Sequence, residues 1–103
     1  MINLRKYQNK KIAIYGMGLT GCSAARTLKK LGARIFCWDD NAQVRKRVKN
    51  SNFLLNKFWL GENLFDNIVI SPGIDVSKCK IRYYLKKNIN KVITDLDLFF
   101  ELN

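Results

Sequence analysis

The chain has 103 residues, enough for one domain and too few for two, and its 48% hydrophobic and 12% aromatic content is material for a packed core, not a disordered tail. Its net charge of +11 points toward nucleic acid, an anionic membrane or a phosphorylated ligand, and a competing reading is that AT-rich coding bias, which also favours the abundant Asn and Ile, supplies many of the lysines. No histidine is present, which removes imidazole bases, His metal ligands and every Ser-His or Cys-His dyad.

The elements alternate along the chain. Lys11 to Tyr15 is a β-rich run that stops at Gly16. From Thr20 to Leu31, Cys22, Ala25, Leu28 and Leu31 recur at helical spacing, and Gly32 closes the stripe. Ala33 to Trp38 is a second strand, ending at Asp39-Asp40. Ala42 to Asn50 forms a short charged helix with Val44 and Val48 on one face, and Phe53 to Leu60 holds a weak third strand. Asn67 to Ser71 carries Ile68-Val69-Ile70, the continuous apolar run of a strand covered on both faces. A helix follows over Ser77 to Lys87, then a strand over Lys91 to Thr94 and a closing helix from Asp95 to Leu102. Such alternation predicts an α/β fold, an open and mainly parallel Rossmann-like sheet with helices on both faces, in a single domain over residues 1–103.

Cys22, Cys37 and Cys79 are odd in number and widely spaced, and they read as small buried residues in a reducing, cytoplasmic setting. The longest uncharged run, Ile12 to Ala25, is too short and too glycine-rich to span a membrane. Its glycines also speak against a lipoprotein signal ending at Cys22.

In sheets of this kind ligands sit beyond the carboxyl ends of the strands, and three motifs end strands here. The first, Gly16-Met17-Gly18-Leu19-Thr20-Gly21, is G-x-G-x-x-G between a strand and a helix. Gly16 permits the turn, Gly18 admits a diphosphate to the backbone, and Gly21 lets the helix approach the strand, while Thr20 adds a hydroxyl. The second is Asp39, 23 residues after Gly16, whose carboxylate suits the ribose hydroxyls of NAD, the imide N–H of a uracil, or the cap of the next helix. Asp40 beside it disfavours a 2′-phosphate. The third, Ser71-Pro72-Gly73-Ile74, is a rigid turn that the generic dinucleotide fingerprint does not require.

Together these motifs resemble the N-terminal domain of the Mur ligase family, in the branch that adds D-glutamate. The resemblance takes in the GMGLTG loop with Ser23 and Ala24, Leu31-Gly32-Ala33, Trp38-Asp39-Asp40, Asp66 ahead of Ile68-Val69-Ile70, the S-P-G-I turn and Thr94-Asp95-Leu96-Asp97-Leu98-Phe99. It implies a domain that holds the UDP part of UDP-MurNAc-L-alanine during peptidoglycan precursor synthesis, without a nicotinamide cofactor. Gly18, Leu19 and Thr20 would meet the diphosphate, Asp39 and Asp40 the uracil, and Gly73 the sugar. Asn41 stands where some members carry Arg, which puts one charged diphosphate contact in doubt. ATP, Mg²⁺ and D-glutamate sites belong to the family's later domains; no G-x-x-G-K-[ST] occurs here, so no catalytic or metal-ligating residue is assigned to this chain. The expectation is a truncated recognition domain that is inactive alone, whose partner is the central domain of the same ligase and whose Phe99, Phe100 and Leu102 are left partly exposed.

Two other classes compete. An NAD(H)-sensing Rossmann module keeps the glycine loop and Asp39 but leaves the S-P-G-I turn unexplained. A nucleic-acid-binding protein fits the charge and the Arg45-Lys46-Arg47 and Lys86-Lys87 runs, yet carries no recognised binding motif, so no specific nucleic acid is expected.

Overall fold

A computed structural model describes residues 5–49, 53–60, 65–94 and 97. Four strands, β1 (Lys11–Tyr15), β2 (Arg34–Trp38), β3 (Asn67–Ile70) and β4 (Val92–Thr94), form one sheet in the order β2-β1-β3-β4, and every pairing is parallel. Between them run the helices α1 (Leu19–Lys30), α2 (Ala42–Lys49) and α3 (Arg82–Lys87). Parallel neighbours require crossovers, and these helices supply the cover that both faces of such a sheet need.

The pleat divides the core in two. Ile12, Ile14 and Val69 face the α1 side, where Ala24, Ala25 and Leu28 of α1 and Val48 of α2 pack with Cys37. Ala13, Tyr15, Ile68 and Ile70 face the opposite side, against Cys79, Ile81 and Leu85 around α3 and the rings of Phe58 and Phe65. Burial of each large apolar side chain is worth about 1.5–3 kcal/mol, so these two layers supply most of the drive to fold. The register sets Tyr15 level with Trp38 on one side and Ile70 on the other, and Ile70 level with Thr94. All four strands therefore end along one edge, and the three motifs emerge there together.

Most predicted elements occur within a residue or two of their expected bounds, with two larger differences. The third strand over Phe53 to Leu60 is not formed. Only Leu55 bridges to Cys37, through Cys37 N–H to the Leu54 carbonyl (3.1 Å) and Asn56 N–H to the Cys37 carbonyl (2.8 Å). The chain then turns into a 3₁₀ helix over Phe58–Leu60, which buries Phe58 completely, in edge-on contact with Tyr15, Phe65 and Tyr84. The helix expected from Ser77 begins only at Arg82. Asp75 Oδ1 accepts the Ser77 amide (3.0 Å) and hydroxyl (2.6 Å), a local turn that competes with helix in this segment. The strand expected from Lys91 starts at Val92, after a 3₁₀ turn over Ile89–Lys91.

Asn50 and, apart from Asp97, the closing helix over Asp95 to Leu102 lie outside the described residues, as do Phe99, Phe100 and Leu102. At the start of that segment the Thr94 amide donates to Asp97 Oδ2 (3.0 Å) and the Asp97 amide to the Thr94 hydroxyl (3.0 Å), the reciprocal pattern of a helix N-terminus. Cys37 and Cys79 are buried and Cys22 is half-buried, all three as free thiols. Among the described residues no helix is long and apolar enough to cross a membrane.

Candidate functional site

The glycine loop leaves β1 at Gly16, whose φ of +98° is closed to ordinary side chains and whose amide donates to the Trp38 carbonyl at 2.8 Å. A Cβ at Gly16 would stand 3.0 Å from Ser71 Oγ and 3.2 Å from Ile74 Cγ1. A Cβ at Gly21 would overlap the Gly16 carbonyl oxygen, so α1 lies directly on the loop only because that position has no side chain. Gly18 differs from both. It is the N-cap of α1 in an extended conformation (φ −71°), and nothing lies within 4 Å of the place where its Cβ would be.

Beyond Gly18 the end of α1 is open. The first intrahelical bond runs from the Cys22 amide to the Gly18 carbonyl (2.9 Å), so the amides of Leu19, Thr20 and Gly21 project from the helix end. No side chain caps Gly18, and no acidic residue occupies the first turn to compete with an anion. Thr20 is exposed and Leu19 is 90% exposed, an apolar side chain standing clear at the mouth of the loop.

The turn after β2 is tightly braced. Asp39 Oδ2 accepts the Met17 amide of the glycine loop and Oδ1 the Asn41 amide, both at 2.8 Å. Asn41 Oδ1 in turn accepts the Gln43 amide at 2.9 Å and caps α2. Asp40 turns to the other face, where the buried Tyr15 phenol donates to its Oδ2. Asp40 Oδ1 is shielded and has no hydrogen-bond partner among the described residues. Burial, reinforced by Asp40 as acceptor and charge, raises the Tyr15 pKa well above the usual phenol value. Arg45 completes the turn, donating from Nη1 to the Asp39 carbonyl at 2.8 Å.

The turn after β3 lies against the loop. Ser71 Oγ donates to the Gly16 carbonyl at 3.1 Å, and the Ile74 amide to the Ser71 carbonyl at 3.0 Å. Pro72 and Gly73 are exposed, and a Cβ at Gly73 would likewise meet nothing within 4 Å.

The structure thus gathers the sequence-predicted residues at one edge and divides their work. Gly16, Gly21, Ser71 and Asp39 hold that edge together, and Asn41 caps a helix. Gly18, Leu19, Thr20 and Gly73 face open space. Sequence reasoning missed Tyr15 and Arg45. Only the position of Tyr15 directly before Gly16 hinted at the first, and Arg45 was hidden in a basic run. The apolar groove of about 380 Å³ lined by residues including Val76, Tyr83, Ile89 and Val92 shares no residue with this edge.

Comparison with known proteins agrees with the motifs. The family model for the Mur ligase MurD-like N-terminal domain matches residues 10–94. The UDP-N-acetylmuramoylalanine–D-glutamate ligase of Wolbachia pipientis wMel is 34% identical over 104 residues, covering 97% of this chain and 20% of that protein. The enzyme of the same name from Buchnera aphidicola subsp. Baizongia pistaciae is 35% identical over 106 residues, covering 94% and 23%. The chain spans about a fifth of the length of these curated relatives. In fold alone it is similar to a solved oxidoreductase from Ralstonia solanacearum described as a D-3-phosphoglycerate dehydrogenase, with a TM-score of 0.55 at 16% identity over 64% of this chain and 19% of that one. With the glycine loop, the braced acidic turn and the S-P-G-I turn on one edge of a parallel sheet, and a family match over residues 10–94, the chain belongs to the MurD-like N-terminal domain family of the Mur ligases.

Proposed function

We propose that this chain is the substrate-recognition domain of a cytoplasmic ligase that adds D-glutamate in peptidoglycan synthesis, and that it binds the UDP moiety of UDP-MurNAc-L-alanine. One observation carries the reading. Of the motif glycines, Gly16 and Gly21 are required by the fold, whereas a Cβ at Gly18 or Gly73 would meet nothing within 4 Å and neither has a left-handed φ. Glycine at those two positions is explained by the close approach of a ligand.

In this reading the diphosphate lies on the open end of α1, against the amides of Leu19 and Thr20 and the Thr20 hydroxyl. Helix dipole effects contribute about 0.3–1 kcal/mol each, and hydrogen bonds supply the rest. The uracil lies by the Asp39-Asp40 turn and the sugar by Gly73. Asn41 is neutral and caps α2 through its Oδ1, so it supplies no charged contact. The +11 charge raises the encounter rate with a diphosphate. ATP, Mg²⁺, the acyl-phosphate chemistry and D-glutamate belong to the other domains of the ligase, which are the chain's partners. This chain positions substrate and contributes no reacting group.

The NAD(H)-sensing alternative shares the glycine loop and Asp39, whose carboxylate oxygens each accept one main-chain amide and keep lone pairs for a further donor, but it leaves the S-P-G-I turn unexplained. Equilibrium binding of UDP-MurNAc-L-alanine, UDP and NADH separates the two. Saturable binding of both uridine ligands with none by NADH is the expected result; the reverse overturns the proposal.

A further inference from the structure

Arg45 lies one turn into α2 and joins three parts of the acidic turn. Its backbone amide donates to the Asn41 carbonyl (3.0 Å) and its Nη1 to the Asp39 carbonyl (2.8 Å). Its guanidinium carbon sits 4.7 Å from the centre of the Trp38 ring, and Trp38 is in edge-on contact with Trp59 at 5.8 Å. Asp39 is consequently held at three points: its carbonyl by Arg45, and its two carboxylate oxygens by the amides of Met17 and Asn41. Among the described residues, the partners of the Arg45 side chain are a carbonyl and a ring. A salt bridge to the adjacent carboxylates does not account for its placement.

We infer that Arg45 is a positioning residue for nucleotide recognition. It fixes the Asp39-Asp40 turn in the conformation that receives the uridine half of a nucleoside diphosphate, while the diphosphate half depends on α1. This rests on the UDP-binding reading above. A guanidinium is planar and carries five donors, so it can lie on an indole and bond a carbonyl at once. A lysine ammonium of equal charge cannot reproduce that geometry. Preorganising the turn removes an ordering cost that binding would otherwise bear, and that cost falls on the base rather than on the phosphates.

The test uses Arg45→Lys and Arg45→Ala in the full chain, with UDP and inorganic pyrophosphate as probes. Binding is followed by amide and indole N–H signals, and fold is checked by signal dispersion. In both variants the dissociation constant for UDP is expected to rise about tenfold, while that for pyrophosphate stays within about twofold. Arg45→Lys, despite keeping the charge, is not expected to rescue binding. UDP affinity unchanged in a folded variant overturns the inference, and so does equal weakening of UDP and pyrophosphate, which makes the effect of Arg45 one on the phosphate site and not on the base half. If Arg45→Ala does not fold, Arg45→Lys carries both comparisons. Wild-type protein that fails to bind UDP overturns the UDP reading itself, whereas UDP binding indifferent to Arg45 overturns only the positioning role.

Discussion

The Ser71 hydroxyl donates to the Gly16 carbonyl oxygen at 3.1 Å, tying the turn that leaves β3 to the turn that leaves β1. Two motifs 55 positions apart in sequence therefore form one edge. Ser71→Ala is expected to lower stability by about 1 kcal/mol, the usual net worth of such a bond. It should also weaken UDP binding by loosening the glycine loop. Urea denaturation and UDP titration of the same variant check both, and a variant of full stability would show that the bond contributes nothing.

Gly21→Ala and Gly18→Ala should behave oppositely. A Cβ at Gly21 runs into the Gly16 carbonyl, so main chain must shift, and a loss of about 3 kcal/mol or more is expected. Gly18 has open space and an ordinary φ, so alanine there should leave stability within about 0.5 kcal/mol. On the proposed UDP-binding reading its added methyl stands in the path of the ligand, and UDP affinity should fall about tenfold. Thermal unfolding together with UDP titration distinguishes the two variants; a Gly18→Ala protein with full affinity would place the ligand elsewhere.

Asp39 accepts two main-chain amides through its carboxylate, and hydrogen bonds to charged groups are worth about 1.5–3 kcal/mol. Asp39→Ala should therefore destabilise the chain by at least that amount before any ligand is added. Asn41→Ala, which removes only the cap of α2, should cost about 1 kcal/mol. Urea midpoints of the two variants without ligand are the check. Equal, negligible losses would mean that the turn is not braced as described.

Burial, with a smaller contribution from Cys22, pushes the Cys37 thiol up to about 12 from an ordinary value of 9.0. Between those values the folded chain keeps a proton that the unfolded chain releases, so stability is full below about pH 8 and declines as pH rises. The slope from this group is at most about 1.4 kcal/mol per pH unit. Tyr15, raised by burial and by Asp40, adds a decline of the same sign above the ordinary phenol value. Urea denaturation at pH 7, 9 and 10 should show the loss, and Cys37→Ala should flatten it. An equal slope in that variant would remove Cys37 as its source.

The sheet was legible because its signals are local. Ile12, Ile14 and Ile68 to Ile70 read as covered strands, and Gly16 and Gly32 punctuate where φ is in fact positive. The glycine loop and the S-P-G-I turn announced themselves by residue type. What could not be read depends on tertiary contact. Phe53 to Leu60 has the composition of a strand, but Phe58 gains more by entering the ring cluster than by extending the ladder past Leu55. Ser77 to Arg82 has helical spacing, but Asp75 draws the Ser77 amide into a turn. At the site, spacing alone could not assign the separate duties of Asp39 and Asp40, because these follow from the Met17 amide and the Tyr15 phenol. Arg45 carried no motif, and its placement needs Trp38 and the Asp39 carbonyl in three dimensions.

The most direct test is a residue-resolved amide NMR titration of the chain with UDP-MurNAc-L-alanine, with UDP and NADH in parallel. Saturable shifts at Gly18, Leu19, Thr20, Asp39, Asp40 and Gly73 with both uridine ligands, and a silent NADH sample, are the predicted result. Shifts of the same loop by NADH with no response to either uridine ligand would contradict it and make this edge a dinucleotide sensor.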